Sequence, residues 1–88
     1  MKYHRILPTD RVVIELAYED GATTGEVRGF IKTQNIHELV AAEQFQINPA
    51  SVDDDMVRWF GRRCAPVIVQ DLLSRASQFQ QWAMTGKP

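Results

Sequence analysis

Three consecutive carboxylates, Asp53-Asp54-Asp55, form the most concentrated acidic group of the chain. Carboxylates are the ligands that hard divalent cations prefer, so the triplet is a candidate metal site. Consecutive helical residues, however, point about 100° apart, and three of them cannot converge on one ion. Acids in the first turn also stabilise the positive end of a helix, and Ser51 is suited to cap that helix. We therefore predict a helix that begins at Ser51, and no metal site.

Arginine and tryptophan follow the acids, and both residue types are enriched in protein–protein hot spots. Guanidinium groups bind carboxylates and phosphates alike. The chain nevertheless carries ten Lys and Arg against eleven Asp and Glu, without the basic excess that nucleic-acid binders usually show. We predict a protein contact through Arg58, Trp59, Arg62, Arg63 and Trp82. Whether the two tryptophans lie in the core or in an interface stays open.

The only cysteine, Cys64, is the one candidate nucleophile with a supporting context. Two arginines precede it and Pro66 follows at an expected helix start, and both features favour a thiolate. Free cysteine is also among the most buried residue types, so its reactivity stays open. Of the two histidines, His4 and His37, the second precedes Glu38, and adjacent helical residues do not face each other. We predict no catalytic residue and no cofactor.

The first third of the sequence has the period-2 alternation of half-buried strands. One apolar face is formed by Val12, Ile14, Leu16 and Tyr18. A turn at Asp20-Gly21 leads to a second alternating run over residues 26–32, and residues 3–7 suit a third strand. The pattern predicts an antiparallel β-hairpin or three-stranded sheet within about residues 3–32.

Residues 35–84 have the patterns of three helices. Asn35 with Glu38 resembles a capping box for a helix that ends near Gln46, and Ser51 with Asp54 repeats it for the second helix. Gly61 is expected to weaken or end that second helix. The last helix is long, and its apolar positions alternate in steps of three and four, which is typical of a helix that packs along another helix. This seam predicts a possible homodimer through Val69, Leu72, Ala76, Phe79 and Ala83.

The segment 39–52 resembles a helix-turn-helix, because Ala42, Ile47 and Val52 stand at about the spacings of that family's small and apolar positions. The resemblance implies a DNA-binding transcriptional regulator over residues 36–63. The sequence departs from the family in having Gln46 where glycine is usual. It also has the acid triplet where a recognition helix contacts bases or phosphates.

The sequence therefore predicts an α+β protein with one domain, residues 1–88: the N-terminal hairpin or three-stranded sheet packs against three helices, the last one long. A single cysteine excludes an internal disulfide and favours the cytoplasm. No apolar run approaches the roughly 20 residues of a membrane helix. We expect a small non-enzymatic protein-binding module, a regulator, inhibitor or accessory subunit of phage or bacterial type, that acts through its helical half. The partner protein is unidentified, and the helix-turn-helix regulator is the alternative.

Overall fold

The chain folds into an antiparallel sheet that is followed by one bent helix. The computed structural model of the protein describes residues 1–71 together with residues 73 and 84. The strand order in the sheet is β1-β2-β3-β4, so each strand pairs with its neighbour in sequence. The elements are β1 (Lys2–Thr9), β2 (Val12–Tyr18), β3 (Thr24–Thr33), β4 (Ile36–Gln46) and α1 (Val52–Arg63).

The predicted α+β class is confirmed, and the N-terminal strands pair in the predicted antiparallel manner. β2 lies between β1 and β3, and its even-numbered residues face α1. Ile14 and Leu16 are there 0% and 1% exposed, respectively, and join the core. The alternation of apolar residues predicted these strands correctly because only one face of each strand packs on the helix.

Residues 36–46 form a fourth strand, so the predictions of a three-stranded sheet and of three helices are wrong. The helix-turn-helix resemblance fails for the same reason. Asn35 is not a helix cap: it lies with Gln34 (φ 54°) in the turn that joins β3 to β4. The β-rich part of the chain therefore extends to Gln46, and the helical part begins at Val52.

A bulge explains why the spacing of apolar residues in β4 mimics a helix. Ala41 lies opposite Gly29, but Leu39 lies opposite Phe30, so Val40 is an extra residue in the strand. The bulge shifts the alternation by one residue and brings apolar side chains three and four positions apart. Helix propensity in this segment is a weak preference, which pairing along the length of β3 overrides.

The helix α1 packs on the sheet through Met56 and Trp59, which are 0% and 2% exposed. They meet a core cluster with Cys64 and with Ile14, Leu16, Val27 and Phe45 of the sheet. The helix comes closest to the sheet at Gly29, where an added Cβ would lie 2.7 Å from the Cys64 Sγ and 3.0 Å from the Phe60 ring. The absence of a side chain at Gly29 thus sets how closely the helix approaches.

The helix continues through Gly61 and bends at Cys64, which has turn geometry, before helical backbone resumes over residues 65–71. Pro66 has no backbone N–H, so it cannot continue the helical hydrogen bonding of the preceding turn. The bond from the Ile68 N–H to the Cys64 carbonyl (3.1 Å) then restores it. The second and third predicted helices are therefore one bent helix as far as residue 71.

The face of the sheet away from α1 carries a row of paired charges. Arg5, Glu15 and Arg28 lie opposite one another on β1, β2 and β3. Arg5 Nη2 donates to Glu15 Oε2 (2.6 Å), and Arg28 Nη1 donates to Glu15 Oε1 (3.3 Å). Opposite charges at directly paired positions stabilise a sheet, so this row supports the register of the strands.

We predict opposite effects for alanine at two glycines of the helix–sheet unit. Gly29→Ala places its Cβ against the buried sulfur of Cys64, and we expect a loss of about 1–3 kcal/mol from overpacking. Gly61→Ala is the matched control, because nothing lies within 4 Å of its Cβ position. Gly61→Ala should stabilise the helix by about 1 kcal/mol. Urea unfolding curves for both variants test this, and equal stability would contradict the close approach at Gly29.

Candidate functional site

A groove runs between β4 and α1 on the helix-covered side of the molecule. It has a volume of about 290 Å³ and is lined by residues 43–46 of β4 and by Asp55, Arg58, Trp59 and Arg62 of α1. We call it the β4 groove. It combines an edge strand of the sheet with three of the five predicted contact residues, Arg58, Trp59 and Arg62.

Trp59 lies at the base of the β4 groove and is almost wholly buried. Its indole Nε1 donates to Glu43 Oε1 over 2.6 Å. The Nε of Arg63 is 3.5 Å from the same oxygen. The structure thus places Trp59 in the core, and Glu43 links it to the predicted contact residue Arg63. A direct contact of Trp59 with a partner stays a prediction.

Asp55 is the acid of the triplet that lines the groove. It accepts hydrogen bonds from Ser51 Oγ (2.8 Å) and from Arg58 Nη2 (2.6 Å). These bonds, that of Ser51 first, lower the pKa of the Asp55 carboxyl, and the charges of Arg58 and Arg62 add to the effect. Asp55 is therefore an anion whose acceptor oxygens already have donors from its own helix.

The start of α1 differs in detail from the predicted capping box. Ser51 occupies the N-cap position, as predicted, but its side chain caps no backbone N–H. Its hydroxyl donates to Asp55 instead. Arg58 pairs with Asp55, three residues before it in the helix.

The three acids diverge. Asp53 Oδ1 lies 2.5 Å from His4 Nε2 and so ties the start of α1 to β1, whereas Asp54 is exposed. Among residues 1–71, no group of three or more His, Cys, Asp or Glu side chains is placed to hold a metal ion.

The arginines of α1 remain accessible. The side chains of Arg58 and Arg63 are 67% and 64% exposed although each has an acidic partner. Arg62 is exposed as well, and within residues 1–71 it makes no ion pair or hydrogen bond. As far as the described residues go, the groove therefore has a guanidinium group whose donors are available to an outside acceptor.

Cys64 lies at the end of α1 with its sulfur against the position of Gly29, and it is 0% exposed. Burial first, and then the charge of Glu43, raise the pKa of the thiol to about 11. The two histidines lie on the opposite edge strands, His4 on β1 and His37 on β4. The thiol is thus protonated at neutral pH and closed to solvent.

Several predicted residues lie outside the part of the chain that the structure describes. Trp82 is one, and four positions of the apolar seam are the others: Leu72, Ala76, Phe79 and Ala83. Val69, the remaining seam position, is 54% exposed.

The sequence analysis missed the contribution of β4 to the groove. Glu43, Gln44 and Gln46 line the groove from β4, but the segment was interpreted as a helix. The available signal was the alternation of Ala41, Glu43 and Phe45, whose side chains all lie on the α1 side of the sheet.

Comparison of the chain with protein-family models, with curated proteins and with solved structures found no match. A separate search for membrane spans found that none of the helices in the described residues is both long and apolar enough to cross a bilayer.

We predict that Cys64 reacts with iodoacetamide only through unfolding. The alkylation rate at neutral pH should be slow in buffer and rise sharply in denaturant, because the folded thiol is buried and protonated. Fast alkylation of the folded chain would contradict this and would support Cys64 as a reactive nucleophile.

The raised pKa of the Cys64 thiol also predicts that the stability of the fold depends on pH. The unfolded chain loses the thiol proton near the ordinary pKa of 9.0, and the folded chain loses it near 11. The contribution of Cys64 to stability is therefore complete below pH 9 and falls as pH rises from 9 to 11. Cys64→Ala, which has no thiol to titrate, is the control for urea curves across this range.

Proposed function

We propose that the chain is a small non-enzymatic protein-binding module, a regulator, inhibitor or accessory subunit, whose partner binds on the arginine flank of α1. The observation that supports this best is the position of Arg58 and Arg62, which are exposed along a groove beside a sheet edge. Arginine is over-represented at the centre of protein interfaces because one side chain supplies several directed donors and apolar surface.

The absence of catalysis is part of the proposal. Cys64, the candidate nucleophile, is a buried thiol with a raised pKa, and neither histidine shares a strand or helix with it. A nucleophile needs an adjacent base and access to substrate, and Cys64 has no access in the folded chain.

The alternative function, a DNA-binding regulator, depended on a helix-turn-helix over residues 36–63. Residues 36–46 of that segment are a strand. The three acids in the first turn of α1 would also repel phosphates near its N-terminus. A protein partner is favoured because its carboxylates can pair with the arginines without a long basic surface. A cytoplasmic location and a homodimer through the C-terminal seam remain parts of the proposal.

The test compares charge reversal at two exposed arginines. Tagged full-length chain is used to retain partners from a nuclease-treated lysate of the source organism, so that nucleic acid cannot bridge. Arg62→Glu should weaken retention by at least about tenfold, which corresponds to roughly 1.4 kcal/mol. Arg11→Glu is the matched control, because Arg11 is exposed in the turn between β1 and β2 and also makes no ion pair within residues 1–71.

Retention that survives Arg62→Glu, or that is lost equally in both variants, contradicts binding through the flank of α1. Circular dichroism melting curves of the two variants should match the parent, because both side chains lie on the surface.

A further inference from the structure

The outer edge of β4 has backbone hydrogen-bonding groups that the sheet does not use. Within the part of the chain that the structure describes, β4 is the last strand of the sheet and pairs with β3 alone. The Ile47 N–H donates to the Thr23 carbonyl, and the antiparallel register then alternates from that pair. It follows that Ala42, Gln44 and Gln46 turn their N–H and C=O groups away from β3.

Residues 42–46 have few of the features by which proteins protect free edges. Edge strands are usually blocked by proline, by lysine, by an inward-pointing charge, by a bulge or by being short. β4 is 11 residues long, and its bulge at Val40 precedes the stretch 42–46. No proline or basic residue occurs in 42–46, and its one charge, Glu43, is engaged with Trp59. The edge is therefore open to pairing with another extended chain.

The side of the β4 groove that α1 forms favours the binding of acidic side chains. The two acids of the β4 groove already accept from residues of the same chain, Glu43 from Trp59 and Asp55 from Ser51 and Arg58. Arg62 makes no hydrogen bond or ion pair with any residue from 1 to 71, and Arg58 is 67% exposed. In an added strand, every second side chain would point to this side of the sheet.

We propose that the edge 42–46 of β4 binds an extended peptide as a fifth strand, with acidic side chains at alternate positions that pair with Arg58 and Arg62. The inference rests on the proposed function and names the chemistry of its partner. The peptide backbone bonds to Ala42, Gln44 and Gln46, and the acids select the sequence, as in other cases of strand addition.

Charge also argues against a second copy of the chain at this edge. Two β4 strands paired by a two-fold axis would form one continuous sheet with both α1 helices on the same face. That arrangement would bring Arg58 and Arg62 of one copy towards the same arginines of its partner, and like charges disfavour it.

The experiment uses fluorescence anisotropy of a short labelled synthetic peptide in which Glu alternates with Val, with the full-length chain as titrant. Two matched peptides serve as controls: one has Lys in place of each Glu, and one keeps every Glu but carries an N-methyl group on every backbone nitrogen. The N-methyl peptide retains its charge and cannot complete the strand hydrogen bonds.

We expect the acidic peptide to bind and both control peptides to bind at least about tenfold more weakly. The double variant Arg58→Ala/Arg62→Ala should weaken binding of the acidic peptide by a similar factor, whereas Arg11→Ala should leave it unchanged. Amide hydrogen exchange of Gln44 should slow when the peptide is bound, which no purely electrostatic contact would cause.

Equal binding of the N-methyl peptide would overturn strand addition, and equal binding of the Lys peptide would overturn the selection of acids. Failure of the acidic peptide to bind would also overturn the inference. So would a dimer, detected by light scattering, that dissociates when residues of β4 are substituted. If the partner from lysate is still lost in Arg62→Glu while the peptide fails to bind, the protein-binding function stands and only this inference fails. If Arg62→Glu has no effect on the partner, the proposed function fails first.

Discussion

The packing of one helix onto one face of the sheet is the interaction on which the rest of the structure depends. Gly29 lets α1 come close enough for Met56, Trp59 and Cys64 to enter a common core with β2 and β3. A chain of this size has a small core, so losing this contact leaves little else to order the helix. The same contact buries the only thiol and sets its raised pKa.

The position of α1 also determines which groups remain available for a partner. Because Trp59 is turned inward and bonded to Glu43, the neighbouring arginines are directed outward beside β4. The acids of this region are paired within the chain, which leaves guanidinium donors as the accessible charges. A protein partner that presents carboxylates on an extended segment matches both the charge and the unpaired backbone of the edge.

The opposite face of the sheet is held by a different kind of interaction. Glu15 is 8% exposed and is paired with Arg5 and Arg28 on the two adjacent strands. A nearly buried carboxylate without these partners would be costly, so the row favours one register of β1, β2 and β3. The sheet is thus ordered by charge on one face and by apolar packing on the other.

The sequence by itself determined the α+β class, the hairpin of β2 and β3 and the N-cap of α1 at Ser51, and it offered β1 as one of two alternatives. These features depend on local patterns: strict alternation between turn residues, and acids after a capping position. It also pointed to the exposed arginines of α1, since a charged side chain on a helix flank lies at the surface in almost any packing. Only the tertiary structure decided that residues 36–46 are a strand, because the bulge at Val40 gives them helix-like spacing and only pairing with β3 distinguishes the two. It likewise decided that Trp59 lies inside, because the burial of one aromatic depends on which face of α1 meets the sheet. The open edge of β4 could not be read from the sequence for the same reason: an edge exists only once the order of the strands is known.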